Sequence, residues 1–254
     1  MRKAFVAGNW KMNTTAASAE SLAEALVHKI GQQDQVEVAV CPPFPYLSRV
    51  AARLAGSKIA LGAQNCHPDN RGAFTGEVSP MMLVDVGCKW VIVGHSERRH
   101  LLGESDDFIA RKLVGALLAN LHVILCVGET LDQRRSHQTE TVVETQLSGC
   151  LKQVSGSQLE RVVIAYEPVW AIGTGQNATP EQAEKVHQFI RGWLDGQFGE
   201  ALANATRIVY GGSVNSGNAA GLVQQPNVDG ALVGGASLNA EEFAAIVGIV
   251  ARLK

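Results

Sequence analysis

The sequence lacks an excess of charge of either sign, long apolar runs and paired cysteines, and each shortage excludes a class of protein. Lys and Arg number 22 against 24 Asp and Glu, a net charge of −2. Such a chain offers no broad electrostatic attraction to nucleic acid or to an anionic membrane. No stretch reaches the roughly 18 uninterrupted apolar residues that suggest a membrane-spanning helix. A small anionic ligand held by a few local groups is still compatible with this composition.

The cysteines and the first residues indicate a compartment. The five cysteines are odd in number and form no C-x-x-C pair, which predicts free thiols in a reducing environment. The apolar run near the N-terminus is too short for a signal peptide, because Asn9 and Lys11 interrupt it. We therefore expect a cytoplasmic protein. No ligand spacing such as H-x-x-x-H is present, so we expect no metal.

What the chain does contain is an alternation of short apolar runs with longer helical patterns. The runs predict eight strands at Ala4–Gly8, Val36–Cys41, Ile59–Ala63, Trp90–Gly94, Val123–Val127, Val162–Tyr166, Arg207–Tyr210 and Val228–Val233. Most are continuously apolar, which is typical of parallel strands covered on both faces. Helices are predicted at Thr14–Ile30, Phe108–Asn120, Asp132–Leu151, Thr179–Leu194 and Glu241–Arg252. Shorter helices are expected between strands three and four and between strands seven and eight.

Eight strand–helix units without a polar linker predict an α/β fold, namely a (β/α)8 barrel formed by one domain over residues 1–254. An open, doubly wound sheet is the alternative. The clearest helix start is Thr179–Pro180–Glu181–Gln182, which offers an N-cap threonine, a proline in the first turn and a glutamine that completes a capping box. In a barrel, catalytic groups lie at the carboxyl ends of the strands.

Polar side chains follow three of the predicted strands. Asn9 and Lys11 follow the first strand, His95 the fourth and Glu167 the sixth. Each has an ordinary alternative: a solvated loop cation, a histidine bonded to backbone, or a glutamate paired with arginine. Because the strand ends of a barrel meet on one face, the coincidence of all three ionisable groups favours an active site.

Glycine-rich turns follow the last two strands and predict a phosphate site. Gly211–Gly212–Ser213 and Gly234–Gly235 can present backbone N–H groups without side-chain obstruction. Gly-Gly is also common in simple turns. Two such turns on adjacent strands, near Lys11, favour phosphate. The match of Gly173–Ala178 to a dinucleotide motif is accidental, because the motif requires its first glycine directly after the strand.

Seven stretches resemble the triosephosphate isomerase family and span nearly the whole chain in order. They are GNWKMN (Gly8–Asn13), GAFTGE (Gly72–Glu77), VIVGHSERR (Val91–Arg99), ILCVGET (Ile124–Thr130), AYEPVWAIGTG (Ala165–Gly175), YGGSV (Tyr210–Val214) and GALVGGASL (Gly230–Leu238). The resemblance implies interconversion of dihydroxyacetone phosphate and D-glyceraldehyde 3-phosphate, in glycolysis and gluconeogenesis, without a cofactor. The chain departs from the family at Gln176–Asn177–Ala178, where relatives often have Lys-Thr-Ala.

The resemblance also implies residue roles. Glu167 is expected to move the proton, His95 to polarise the carbonyl, and Lys11 to stabilise developing negative charge. Substrate is expected to contact Asn9, Lys11, Gly173, Ser213, Gly234 and Gly235, with Glu97 in support. A helical turn at Ser96–Glu97–Arg98 predicts a neutral His95 imidazole, a feature already known in this family.

Two further segments gain expected roles from the resemblance. A lid that closes over the site is expected to comprise Pro168, Val169, Trp170, Ala171, Ile172, Gly173, Thr174, Gly175, Gln176, Asn177 and Ala178. A homodimer is expected, with Phe74 and Thr75 of the Gly72–Glu77 loop contacting the partner. Two rival functions are a phosphate-binding aldolase that uses Lys11 in a Schiff base and a sensor that binds triose phosphate without turnover.

Overall fold

The structure is a computed structural model that describes residues 2–171 and 177–254. Eight parallel strands close into a barrel in sequence order, because β8 pairs back onto β1. The strands are β1 (Phe5–Asn9), β2 (Glu37–Cys41), β3 (Ala60–Ala63), β4 (Trp90–Val93), β5 (His122–Val127), β6 (Val162–Tyr166), β7 (Arg207–Tyr210) and β8 (Gly230–Val233). This arrangement confirms the predicted (β/α)8 barrel in a single domain and excludes the open sheet.

Helices surround the barrel and connect its strands. They are α1 (Ala16–Ile30), α2 (Leu47–Leu54), α3 (Pro80–Asp85), α4 (Ser96–His100), α5 (Asp106–Leu118), α6 (Leu131–Arg135), α7 (Thr139–Leu151), α8 (Gly156–Leu159), α9 (Pro180–Phe198), α10 (Glu200–Ala205), α11 (Ala219–Val223) and α12 (Ala240–Leu253). Short 3-10 turns occur at Phe44–Tyr46, Val169–Ala171 and Gly235–Leu238. Both helices predicted to be short, α3 and α11, are confirmed. In the part of the chain that the structure describes, no helix is long and apolar enough to cross a bilayer.

One helix prediction is wrong and another is incomplete. The predicted helix Asp132–Leu151 is two helices, α6 and α7, because His137 has a φ of 56° and a left-handed residue ends a right-handed helix. The predicted start of α9 is confirmed. Thr179 and Gln182 form the capping box, and the helix continues to Phe198 rather than ending at Leu194.

The core has two layers, which explains why the strands are apolar on both faces. One layer fills the barrel and consists of Phe5, Ala7, Ala39, Cys41, Trp90, Ile92, Ile124, Cys126, Val163, Ala165, Val209 and Leu232. The intervening strand residues point outward and pack against the helices. Inside the barrel the rings of Phe5 and Trp90 stack with their centroids 4.4 Å apart. The packed interior leaves the mouth as the place for chemistry.

One position of the barrel requires glycine, because two strands approach each other closely there. Gly230 has a φ of +141°, and a Cβ at this position would overlap the carbonyl oxygen of Phe5 on β1. Gly192, in the exposed middle of α9, has nothing within 4 Å of a built Cβ. The same substitution should therefore have opposite effects at the two positions.

We expect Gly230→Ala to lower the free energy of unfolding by about 3 kcal/mol or more, through backbone strain and a displaced strand. The matched change Gly192→Ala should raise it by about 0.5–1 kcal/mol, because alanine is the better helix former. Urea unfolding followed by circular dichroism measures both. Equal effects in the two variants would contradict this account of the barrel closure.

His187 on α9 is fully buried and packs against Tyr166, the residue that precedes Glu167. Its ring lies edge-on to that of Tyr166, with centroids 5.8 Å apart, and Nδ1 lies 3.2 Å from the Asn227 carbonyl oxygen. Burial lowers the pKa of His187 from 6.5 to about 4. The folded protein therefore keeps this ring neutral at pH values where the unfolded chain binds a proton.

Because the unfolded state binds the extra proton, stability should fall as the pH falls from about 6.5 to about 4. The contribution of His187 across that window is roughly 3 kcal/mol. Urea unfolding at several pH values should show a smaller pH dependence in His187→Gln than in the wild type. The exposed His100→Gln variant serves as the control and should retain the wild-type dependence. If the free energy of unfolding of His187→Gln depended on pH as strongly as that of the wild type, His187 would not be the group responsible.

Candidate active site

The carboxyl ends of the strands surround an open cavity of about 440 Å³. Its lining includes the sequence-predicted residues Asn9, Lys11, His95, Glu167, Ser213, Gly234 and Gly235. Further lining comes from Gly211, Gly212, Val214, Asn215, Leu232 and Ala236. The loops after β1, β4, β6, β7 and β8 thus contribute to one site. Predicted Gly173 lies outside the described residues.

Glu167 follows β6 directly, and its side chain is almost wholly buried at 2 % exposure. One carboxylate oxygen accepts the Ser96 N–H at 2.8 Å, and the other lies 2.9 Å from His95 Nε2. Burial raises the pKa of the carboxyl, but His95 and the Ser96 N–H lower it more, so the net pKa is below its ordinary value. The site therefore holds a buried carboxylate in its ionised form.

Glycines on both neighbouring strands make room for Glu167. A Cβ at Gly128, after β5, would overlap the Glu167 carbonyl oxygen. A Cβ at Gly211, after β7, would lie 2.8 Å from the Glu167 Cγ. Close packing, and not turn geometry, therefore explains these two glycines. Gly128 was not predicted as part of the site, because the constraint comes from a residue on another strand.

His95 is the N-cap residue of α4, which confirms the predicted helical turn. The Glu97 N–H donates to His95 Nδ1 at 3.3 Å, so the ring proton is assigned to Nε2, facing Glu167. Burial lowers the pKa of the imidazole, the Glu167 carboxylate raises it, and the net shift is upward. The hydrogen bond into Nδ1 favours a neutral ring and the raised pKa favours a charged one. The neutral ring therefore stays a prediction.

Lys11 has a φ of 53°, a left-handed conformation that costs free energy for a residue other than glycine. Its own N–H donates to the Asn9 side chain at 3.0 Å, and the Gln64 amide donates to its carbonyl oxygen at 2.8 Å. Its ammonium lies 2.5 Å from a Glu97 carboxylate oxygen. Asn9, Gln64 and Glu97 together hold the cation beside the pocket. Gln64 was not predicted, because its partners, Lys11 and Cys41, are distant along the chain.

The two glycine-rich loops form another part of the cavity wall. A Cβ at Gly212 would overlap the Tyr210 hydroxyl, so the backbone of this loop lies directly against that ring. A Cβ at Gly234 would lie 3.4 Å from Lys11 Cε, which places the lysine stem beside the second loop. The Ser237 hydroxyl donates to the Gly234 carbonyl at 2.7 Å and fixes that turn.

The first described part of the predicted lid is bonded to the loop after β5. The Trp170 indole N–H donates to a Glu129 carboxylate oxygen at 3.0 Å, and the Val169 N–H donates to the Glu129 carbonyl at 3.1 Å. The Arg134 guanidinium lies 4.5 Å from the Trp170 ring centroid. At the other end, the Ala178 N–H donates to the Tyr210 hydroxyl at 3.4 Å. Predicted lid residues 172–176 lie outside the described residues.

The predicted dimer loop is a surface turn in the single chain. Phe74 is 45 % exposed, and its ring lies 4.1 Å from that of His67. Gly72 and Gly76 in the turn have positive φ values of 152° and 92°. Neither Phe74 nor Thr75 lines the cavity of its own chain.

Known proteins of one family match nearly the whole chain. The family model described as triosephosphate isomerase matches residues 4–250. A triosephosphate isomerase of Rhodopirellula baltica is 54 % identical over 97 % of this chain and 97 % of its own. One from Syntrophotalea carbinolica is 52 % identical, covering 97 % of this chain and 98 % of the relative. Another, from Thiobacillus denitrificans, is 54 % identical with the same coverage.

Proposed function

The chain belongs to the triosephosphate isomerase family, and we propose that it interconverts dihydroxyacetone phosphate and D-glyceraldehyde 3-phosphate, a step of glycolysis and gluconeogenesis. The observation that carries the residue assignment is the ionised Glu167 carboxylate against His95 Nε2 at the cavity wall. The two glycine-rich loops line the same cavity, where they can hold the phosphate. A coupled assay of triose phosphate interconversion in a metal chelator tests reaction, substrate and cofactor independence together.

Glu167 is the base of the proposed reaction. Its carboxylate takes a proton from the carbon beside the carbonyl, and the bonding electrons move to make an enediolate oxygen. The resulting carboxylic acid then returns a proton to the neighbouring carbon. To begin, the carboxylate must turn away from the Ser96 N–H and His95 Nε2, the partners that occupy it in the structure. Base catalysis of this kind contributes only about 10²–10⁴-fold, so the enediolate needs separate stabilisation.

His95 and Lys11 provide that stabilisation. When Glu167 turns toward substrate, the Nε2–H that faced it is free to donate to the substrate oxygen. The Glu167 carboxylate contributes most to raising the pKa of His95. Once it turns away, burial and the α4 terminus favour a neutral ring against the smaller opposing effect of Glu97. The Lys11 ammonium contributes positive charge near the developing oxyanion, and Asn9 fixes the Lys11 backbone.

Lys11 also bears on the aldolase alternative. A Schiff base requires a neutral amine, whereas the Lys11 ammonium is paired with Glu97 at 2.5 Å. The pairing favours the role of a fixed cation. Borohydride trapping with substrate separates the two reactions, since a covalent adduct at Lys11 would contradict the isomerase assignment.

The phosphate is held, in this proposal, by backbone N–H groups of the loops after β7 and β8. Ser213, Gly234 and Gly235 line the cavity, and the glycines leave the backbone accessible. Gly173 of the lid is proposed as a further N–H donor. Closure of the lid from Pro168 to Ala178 would exclude water and protect the enediolate. Support for a lid comes from its two ends, which are hydrogen-bonded to Glu129 and Tyr210.

A homodimer is proposed from exposed apolar side chains, among them Phe74 of the Gly72–Glu77 loop. Met12 is 96 % exposed, and Phe74, Leu101 and Leu102 are exposed as well. A groove beside Lys11 and His95, lined also by Met12, Phe44 and Leu102, offers a place for the loop of a partner.

All five cysteines are free and buried, which supports the proposed cytoplasmic location.

Replacing Glu167 by glutamine should abolish the base while keeping the shape of the side chain. We expect Glu167→Gln to lower kcat by about 10³-fold or more. Competitive inhibition by inorganic phosphate should persist, because the phosphate loops are untouched. Exposed Glu160, before the other end of the same strand, provides the matched control Glu160→Gln, with unchanged kinetics. Turnover within a few-fold of the wild type would show that another group is the base.

The dimer proposal predicts a mass of 2 × 27.0 = 54.0 kDa in sedimentation equilibrium. Placing a charge at the tip of the loop, in Phe74→Asp, should shift the mass toward 27.0 kDa, because an unpaired charge is costly in an apolar interface. The control is Leu118→Asp on α5, where an equally apolar side chain is 69 % exposed. A wild-type protein that sediments as a monomer at micromolar concentration would contradict the proposal.

A further inference from the structure

A carboxylate of α12 connects the two phosphate loops of the proposed site. Glu242 lies in the first turn of α12, and one of its oxygens accepts the Ser216 N–H at 2.6 Å. The other oxygen accepts the Ser216 hydroxyl at 3.1 Å. Ser216 belongs to the loop that follows β7, whereas α12 continues the loop that follows β8. Glu242 does not line the cavity itself, so any influence on substrate passes through Ser216.

Hydrogen bonds within the β7 loop link Ser216 to Ser213. The Asn215 side chain accepts the N–H groups of Gly217 and Asn218 at 2.9 and 3.0 Å. The Asn218 amide donates to the Ser213 carbonyl at 3.1 Å, and its oxygen accepts the Asn215 N–H at 2.9 Å. Because these bonds tie both ends of the segment together, a displacement of Ser216 moves Ser213 with it.

The β8 loop is tied to α12 in a similar way. Asn239 caps α12 by accepting the N–H groups of Glu241 and Glu242. The 3-10 turn Gly235–Leu238 immediately precedes this cap, and Ser237 is bonded to the Gly234 carbonyl. The first turn of α12 and the β8 loop therefore form one rigid unit, and Glu242 projects from that unit to the other loop.

We propose that Glu242 is a positioning residue that fixes the spacing of the two phosphate loops and thereby sets the affinity of the site for the substrate phosphate. The inference rests on the proposed function, which assigns phosphate to these loops. Backbone N–H donors from both loops must converge on one anion, and preorganised donors bind without the cost of ordering. A charge-assisted bond to each of two Ser216 donors is well suited to hold that geometry.

A variant at Glu241 can distinguish a positioning role of Glu242 from a general contribution of its charge to the stability of α12. It occupies the same first turn as Glu242 and the same Asn239 cap, so both carboxylates interact alike with the helix dipole. Its side chain is exposed and pairs with Lys29, away from the phosphate loops. Glu241→Ala therefore reproduces the loss of helix charge without the loss of the loop contact.

The experiment compares Glu242→Ala, Glu242→Gln, Ser216→Ala and the control Glu241→Ala in the coupled triose phosphate assay. For Glu242→Ala we expect KM and the inhibition constant of inorganic phosphate to rise together, by about five- to twentyfold, with kcat within about threefold of the wild type. Glu242→Gln and Ser216→Ala keep part of the contact and should show smaller rises of both constants. Glu241→Ala should leave both constants unchanged.

The outcomes separate this inference from the proposed function. A wild-type protein that neither turns over triose phosphate nor binds inorganic phosphate refutes the proposed function, and with it the phosphate loops. Where the wild type is active and inhibited by phosphate, unchanged constants in Glu242→Ala overturn the positioning role alone. A fall in kcat at constant KM, or equal effects in Glu241→Ala, would also overturn it. Should Glu242→Ala fail to fold, Glu242→Gln and Ser216→Ala decide the question through the same two constants.

Discussion

The contact between the Glu167 carboxylate and the His95 imidazole is the interaction on which the site depends. A carboxylate on a side chain that is 2 % exposed can stay ionised only where partners offset the loss of hydration. Here His95 Nε2 and the Ser96 N–H do so. The barrel supplies both partners from β4 and its following helix. Gly128 and Gly211, which follow the flanking strands β5 and β7, leave space for the Glu167 backbone carbonyl and side chain, respectively. The fold thus keeps this buried carboxylate ionised and largely shielded from water.

The same contact must break for the proposed reaction to proceed. The surrounding groups suit both the state in which Glu167 is bonded to His95 and the state in which it faces the substrate. When the carboxylate turns to substrate, the Nε2–H loses an acceptor and gains the substrate oxygen in its place. Lys11, Asn9 and Glu97 form a separate set of contacts that does not depend on Glu167. In this proposal, the Glu167 carboxylate exchanges its contacts with His95 and Ser96 for a contact with the substrate. Binding of the substrate phosphate contributes the energy for that exchange.

The barrel and most of the site could be predicted because their signals are local. Apolar runs predicted the strands, the Thr179–Gln182 capping box predicted a helix start, and strand ends predicted where Lys11, His95 and Glu167 would meet. The break at His137 could not be predicted, since nothing in the local pattern requires its left-handed backbone. The contacts of Gln64 with Lys11, of Glu129 with Trp170 and of Glu242 with Ser216 join residues 26 to 53 positions apart. Only the folded chain brings such groups together.

The central claim is that a base moves a proton between two carbons, rather than a hydride passing directly. Isomerisation of dihydroxyacetone phosphate in deuterium oxide tests it, with the product analysed by proton NMR. Because the protonated Glu167 can exchange with solvent before it returns the proton, deuterium should appear at C2 of the glyceraldehyde 3-phosphate formed. Product that forms at the full rate with no deuterium on that carbon would contradict proton transfer and the role of Glu167 as the base.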